Sequence, residues 1–237
     1  MDKRKIHSGL IGASPPLHAR MTGLVGLIVL ASGSFAGYVG SKLIVREDVL
    51  TTSKHILASQ SLFRLGIAGN LLMMTSWLFY ALLLYRMLRP VNRHHALAML
   101  VLVIVSVPIF MLNQVNLFAL LPLALSGQNE PMALFLELHR FGSSVAAIFF
   151  GLWLFPLGFL VLKSGYLPRI LGVLLMVGTL GYLILFVEVF FFPGSEQTLW
   201  SNPFLVVTHL SELALLLWLL IRGVGIKEWD RQVSGGA

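Results

Sequence analysis

The residues of this sequence that are best suited to chemistry are ionisable and amide side chains set within long apolar runs. The stretch LFLELHRFGSS, residues 134–144, brings Glu137 close to His139 and Arg140. Farther along, HLSE places His209 and Glu212 three residues apart, so a helix would present both on one face. Carboxylate and imidazole groups so arranged can transfer protons, anchor a polar ligand or coordinate a metal ion. The complete set of candidate site residues is Arg64, Asn70, Asn113, Asn116, Glu137, His139, Arg140, Glu188, His209 and Glu212.

A metal site is the most demanding of these options. His139, His209 and Glu212 carry nitrogen and oxygen donors that suit zinc or iron, but the chain has no HExxH or ExxH motif. A network of ion pairs, with Arg64 and Arg140 against the glutamates, explains the same residue types and is favoured. The chain has no cysteine, which excludes thiolate ligands and a cysteine nucleophile. No GxSxG or P-loop motif is present, so no catalytic residue or cofactor is assigned.

The composition indicates that these polar side chains lie in a membrane protein. Of 237 residues, 57% are hydrophobic and only 11% are charged, which a water-soluble globule of this size does not tolerate. Both faces of the apolar runs are hydrophobic, as in VLLMVGTLGYLILF, which favours helices over the alternating strands of a membrane barrel. The sequence therefore predicts an all-α, polytopic bundle of six transmembrane helices. The expected crossings are 22–45, 62–85, 96–121, 132–162, 170–192 and 204–222.

The distribution of positive charge predicts the orientation of this bundle. The net charge is +7, and most of the 17 lysines and arginines fall at the termini and in alternate loops. The positive-inside rule then places both termini in the cytoplasm. The basic residues indicate topology and contact with lipid headgroups, not binding of nucleic acid. Residues on the predicted cytoplasmic side are Lys3, Arg4, Lys5, Arg20, Arg86, Arg89, Arg93, Lys163, Arg169, Arg222, Lys227 and Arg231.

With this orientation, the candidate site residues fall in the outer halves of five helices. A charge at the membrane centre costs about 2.5–3.5 kcal/mol on insertion scales, so these groups should face one another or a wet cavity. We therefore expect one outward-facing polar chamber. The expected domains are a cytoplasmic tail at 1–20, the bundle at 21–225 and a second tail at 226–237. Cleavage of a signal peptide within residues 1–36 is an open alternative, because TGLVGLIVL precedes small residues.

Three segments of the chain resemble a known family. ASQSLFRLGIAGN (58–70), SGYLPRILGVLLMVGTLGY (164–182) and HLSELALLLWLLIRGVG (209–225) look like the bacterial membrane family named domain of unknown function 4386. The resemblance implies a multi-pass protein of a bacterial cytoplasmic membrane, with this size and topology. It implies no reaction. Arg64 and Glu212 are the ionisable candidates that fall inside these motifs.

Three functions fit these observations. The favoured hypothesis is binding of an amphiphilic, lipid-like small molecule, with apolar walls for its tail and Arg64, Asn70, His209 and Glu212 around its head group. An intramembrane enzyme acting on a lipid or isoprenoid, with or without a metal, is the first alternative. A structural or regulatory subunit whose polar cluster only locks the helices together is the second. The expected partners are the bilayer and the ligand, and the sequence does not define an oligomeric state.

Overall fold

The computed structural model describes residues 15–45, 48–192, 202–225, 228–229 and 231. Within these ranges the chain is helical and has no strand. The helices are α1 (Pro15–Leu43), α2 (Val49–Ala58), α3 (Gln60–Leu88), α4 (Arg93–Leu125), α5 (Asn129–Leu152), α6 (Leu154–Ser164), α7 (Arg169–Phe191) and α8 (Pro203–Ile221). The prediction of an all-α fold is confirmed.

Six of the helical segments are long and apolar enough to cross a membrane, which confirms the predicted six-helix bundle. The fourth crossing consists of α5 and α6 together and spans Asn129–Ser164. The helix is interrupted at Trp153, three residues before Pro156. Because proline has no backbone N–H and is tolerated in the first turn of a helix, Pro156 is accommodated at the start of α6. The interruption divides a segment that is longer than one crossing requires.

The sequence did not predict α2, which occupies the first loop of the bundle. Its N-cap is Asp48, whose side chain accepts hydrogen bonds from the Thr51 backbone N–H (2.9 Å) and hydroxyl (2.6 Å). These hydrogen bonds hold the pKa of the Asp48 carboxyl below its ordinary value. Ile56 is fully buried on the inner face of α2. Capping and burial together explain a short helix in a segment that is too polar to cross a membrane.

The crossing helices alternate in direction, so the bundle has two distinct ends. Close contacts join early residues of one helix to late residues of its neighbour, as in Gly23 of α1 beside Leu220 of α8, and Gly66 of α3 beside Val39 of α1. One end, here named the basic end, carries most of the described basic side chains. The opposite end, here named the α2 end, holds α2. Basic-end residues are Arg20, Arg86, Arg89, Arg93, Lys163, Arg169 and Arg222.

Two clusters of buried apolar side chains hold the bundle together. The larger cluster lies toward the basic end and includes Leu84, Met99 and Leu160, whereas the smaller one lies under α2. The turn between α6 and α7 is fixed by Tyr166, whose hydroxyl donates a 2.8 Å hydrogen bond to the backbone carbonyl of Met87. Burial raises the pKa of Tyr166. This turn therefore anchors the fourth and fifth crossings to the end of α3.

Candidate functional site

The path of α1 creates the main cavity of the protein. Near the basic end α1 packs tightly on α8, where a Cβ on Gly23 would lie 2.8 Å from the backbone nitrogen of Leu220. Helix α1 packs on α3 along its length, and toward the α2 end a Cβ on Gly69 would lie 3.2 Å from the carbonyl oxygen of Ser32. Over the same length, α8 packs on α7 through Thr208, whose hydroxyl donates to the Gly178 carbonyl (2.5 Å). The helices α1 and α8 therefore diverge.

The space between the diverging helices is a cavity of about 570 Å³, here named the large cavity. Most of its lining is apolar, and its floor includes Leu157 and Leu175, both fully buried. The other residues that line this cavity include Gly26, Leu30, Gly33, Ser34, Trp77, Tyr80, Phe150, Trp153, Tyr182, His209, Glu212, Leu213 and Leu216. The volume falls within the range of about 300–1,000 Å³ that is typical of small-molecule sites.

Aromatic side chains form one wall of the large cavity. Trp77 makes edge contacts with Phe150 (ring centroids 5.0 Å apart) and with Trp153 (5.3 Å). Phe150 in turn contacts Tyr182 at 5.9 Å, again edge to face. Trp153 lies at the interruption between α5 and α6, so the break in the fourth crossing places an indole in this wall. Tyr80, from α3, lines the same cavity.

The imidazole and carboxyl groups of the large cavity come from α8. His209 Nδ1 lies 3.8 Å from Glu212 Oε2, and the two side chains are 46% and 30% exposed. The ring of Tyr182 meets the imidazole edge-on at 6.0 Å. Glu212 is the tenth residue of a 19-residue helix, about 14 Å from either end at 1.5 Å per residue. The structure therefore puts a carboxyl group at mid-span, next to an apolar cavity.

The large cavity opens sideways, between α1 and α8. At its rim, Leu30 is 39% exposed, and Ser34 and His209 are exposed as well. At the other side of the cavity, Gly26 approaches Leu216 and closes the gap between the two helices. In a bilayer this opening would face the acyl chains.

A second, smaller cavity of about 220 Å³ lies nearer the α2 end, between α1, α3, α4 and α5. Its wall includes Gly37 and Gly40, where a Cβ would meet nothing within 4 Å. The polar residues that line it are Asn70 and His139. The structure therefore assigns Asn70 and His139 to a different cavity from His209 and Glu212.

A network of amide hydrogen bonds joins α4 to α5. Asn113 is 6% exposed, and its Nδ2 donates to the His139 carbonyl (2.8 Å) and to Ser143 Oγ (2.9 Å). Asn113 Oδ1 accepts a 2.9 Å hydrogen bond from Asn116. Gly142 is packed so closely against Asn113 that a Cβ there would overlap the amide. Asn113 of α4 is thus bonded to the His139 backbone and the Ser143 side chain of α5, and these bonds hold the two helices together.

A neighbouring amide pair joins α3 to α4. Asn70 Nδ2 donates to Gln114 Oε1 (2.9 Å), and the Gln114 side chain is fully buried. Gln114 Nε2 donates in turn to the Phe110 carbonyl at 3.3 Å. Because an unpaired amide in a membrane interior is costly, these bonds fix the rotation of α3 relative to α4.

The remaining candidate residues lie apart from both cavities. Glu137 and Arg140 form an ion pair on α5 with a 2.7 Å contact, and Glu137 is 54% exposed. Arg64 is exposed on α3 and makes no ion pair within the described part of the chain. Glu188 is half-buried on α7, and its Oε2 is a buried atom without a hydrogen-bond partner among the described residues. These four side chains and the cavity residues do not converge on one site.

The described residues contain no group of three histidine, aspartate or glutamate side chains that could hold a metal ion. His139 is hydrogen-bonded to Asn113 on the α4–α5 interface, whereas His209 and Glu212 line the large cavity. The three metal candidates of the sequence are therefore not gathered together.

The sequence analysis did not include the aromatic wall, with Trp77 and Trp153, among the candidate site residues. Both are buried, at 7% and 3% exposure, and both also line the large cavity. The available signal was Tyr80 and Tyr182, whose hydroxyls lie deep inside apolar segments. A tyrosine hydroxyl in that position needs a polar or wet neighbour.

The six apolar helices define the class of the chain as a multi-pass helical membrane protein. Residues 21–223 match the family described as "Domain of unknown function (DUF4386)", and the chain belongs to that family. A protein of Archaeoglobus fulgidus, described as uncharacterised, is 31% identical over 163 residues, which cover 69% of this chain and 86% of the relative. This relative is archaeal, so the likeness is not confined to bacteria. No solved structure matches.

Proposed function

We propose that this protein binds a lipid-like amphiphile in the large cavity, and that the ligand enters from the bilayer between α1 and α8. The head group would lie at His209 and Glu212, and the hydrocarbon chain against the apolar floor. The observation that carries the proposal is the combination of an apolar cavity of about 570 Å³, an imidazole and a carboxyl group from one helix, and a sideways opening. A water-soluble polar ligand would not enter through an opening that faces acyl chains.

The position of Glu212 supports binding over a purely structural role. A carboxyl group at mid-span is costly, and such residues are usually paired or functional. Among the described residues its ion-pair partner is His209, at 3.8 Å, which is charged only when protonated. A side chain that served only to hold helices together would form its hydrogen bonds within the protein, as Asn113 does. The head-group contacts that we propose are therefore His209 and Glu212, without Arg64 or Asn70.

The orientation is part of this proposal. The basic end would face the cytoplasm by the positive-inside rule, which would put Glu212 near the midplane of a cytoplasmic membrane and His209 and Ser34 on its outer side. The ligand would then be drawn from the outer leaflet.

A bulky side chain at the rim tests the proposal. Ser34→Trp would place an indole in the opening, because Ser34 is exposed and lines the large cavity. Ser41→Trp is the matched control, since Ser41 is exposed on the same helix and lines neither cavity. The measurement is native mass spectrometry of the full chain released from detergent, with thermal unfolding to verify that both variants are folded.

We expect one amphiphile to remain bound to the natural chain and to Ser41→Trp, and to be lost from Ser34→Trp. A natural chain that emerges without any bound amphiphile would contradict the proposal. So would a Ser34→Trp variant that retains the amphiphile at the same occupancy as the control.

A further inference from the structure

We infer that the head group held in the large cavity is a cation, of the alkylammonium or quaternary ammonium class. This inference rests on the proposed function and specifies its ligand. The structural basis is the meeting of one carboxylate with an aromatic wall, in a cavity whose described lining contains no lysine or arginine.

The described lining of the large cavity contains a carboxyl group but no permanently charged basic side chain. Glu212 supplies a carboxylate, and the other ionisable group beside it is His209, which is uncharged unless it is protonated. Among the described basic side chains, Arg64 lines neither cavity, and Arg140 is paired with Glu137 on the outside of α5. When Glu212 is ionised and His209 is neutral, the cavity carries one net negative charge, which attracts a counter-charge.

The aromatic wall suits the same class of head group. Trp77, Tyr80, Trp153 and Tyr182 line the cavity, together with Phe150. The electron-rich face of an aromatic ring attracts an ammonium group, tryptophan most strongly, and cages of such rings are a recurrent way of binding quaternary ammonium ions. The ring contacts are edge to face, with interplanar angles of 79° for Trp77 on Phe150 and 84° for Trp77 on Trp153. Rings set at such angles present differently oriented faces, which suits a roughly spherical ammonium group.

The same features disfavour the other head-group classes. An anionic head would be repelled by Glu212 and would find no guanidinium or ammonium donor in the described lining. A neutral hydroxyl head could accept or donate a hydrogen bond at His209, but it would leave the carboxylate without a counter-charge. A cationic head group can form an ion pair with the Glu212 carboxylate and cation–π contacts with the aromatic rings at the same time.

A head-group series at constant chain length tests this inference on the natural protein. Dodecyltrimethylammonium, dodecanol and dodecanoate would be titrated, as radiolabelled compounds, against the full chain in nanodiscs of an uncharged galactolipid, whose head group carries no ammonium group that could compete. Binding to empty nanodiscs would be subtracted to remove partition into the bilayer. We expect the trimethylammonium compound to bind about tenfold more tightly than dodecanol, and dodecanoate to bind most weakly.

Two variants that make the same change of charge assign the effect to a residue. Glu212→Gln should weaken binding of dodecyltrimethylammonium about tenfold and leave dodecanol binding unchanged. Glu137→Gln, on the exposed surface of α5 and outside both cavities, should leave both affinities unchanged. The control removes the same charge from the protein, so any general attraction of cations to the protein would fall equally in the two variants.

The outcomes separate the two proposals. If dodecanol binds as tightly as the trimethylammonium compound, or if dodecanoate binds best, the cationic inference is overturned and amphiphile binding stands. The same holds if Glu212→Gln and Glu137→Gln behave alike. If none of the three compounds binds the natural chain above the empty nanodiscs, both proposals fail. Should Glu212→Gln not fold, the head-group series on the natural chain decides alone.

Discussion

Replacement of Asn113 by alanine should destabilise the bundle more than replacement of any other amide in the α4–α5 network. The Asn113 side chain takes part in three hydrogen bonds that do not depend on the His139 tautomer, two donated to α5 and one accepted from Asn116. Its Nδ2 also lies 3.2 Å from His139 Nδ1. Polar contacts between membrane helices average about 0.6 kcal/mol each, with an upper value near 1.7. The two bonds to α5, with the weaker bond to Asn116 within α4, give a loss of about 2 kcal/mol in the free energy of unfolding. Asn116→Ala, which removes one bond, should cost about 0.6 kcal/mol.

The assay is equilibrium unfolding of the purified chain in mixed micelles, with helix content as the signal. The double variant Asn113→Ala, Asn116→Ala should be about as stable as Asn113→Ala alone, because the Asn116 side chain has already lost its acceptor. The reasoning would be refuted if Asn116→Ala were the more damaging single change. It would also fail if the two losses simply added.

Three further predictions concern other contacts. Gly142→Ala should lower the free energy of unfolding by about 1–3 kcal/mol, as overpacking does, because the new methyl group overlaps Asn113; the same unfolding assay measures it. Tyr166→Phe removes the hydrogen bond to the α3 backbone and should cost about 1 kcal/mol in that assay. Hydrogen bonds from Thr51 lower the pKa of Asp48, so its capping of α2 is complete above the ordinary value of 3.8 and is lost as the pH falls through the lower, folded-state pKa. Amide hydrogen exchange in α2, corrected for its intrinsic pH dependence, should show this loss of protection in the natural chain and not in Asp48→Asn.

The number and position of the crossings could be predicted because hydrophobic length is a local property of the sequence. The predicted crossing 204–222 differs from α8 by one residue at each end. The interruption at Trp153 was harder to predict, since a proline indicates a kink but not whether the helix restarts beside it. The helix α2 was missed because its ten residues depend on a cap and on Ile56 being buried against other helices.

The candidate site was harder to predict, because depth in the membrane does not determine which way a side chain points. Asn113 of α4 faces Ser143 of α5, whereas Glu137 and Arg140 pair with each other on the outside of α5. His209 and Glu212 share one face of α8, as their spacing indicates. Residues that the sequence placed in the same half of the membrane, such as Arg64 and Glu212, nevertheless lie on different surfaces of the bundle. Their placement depends on the rotation of each helix, which close glycine contacts set between partners far apart in the chain.

The family motifs have a structural explanation in this fold. Gly66 of the LFRLG segment packs against Val39, and Gly172 of the LPRILG segment lies against Gly158 so closely that neither could carry a Cβ without displacing backbone. These glycines set the spacing of α1 on α3 and of α6 on α7. Glu212, in the third motif, has no comparable packing role and lines the large cavity instead.

Because α1 and α8 diverge toward the lipid, the membrane composition would control the occupancy of the large cavity. A compound that enters the opening between α1 and α8 from within the lipid arrives by two-dimensional diffusion. The occupancy of the large cavity then depends on the mole fraction of the compound in the leaflet and not on its aqueous concentration. Diluting the protein and its lipid together with buffer would then leave occupancy unchanged, whereas adding bare lipid vesicles would empty it.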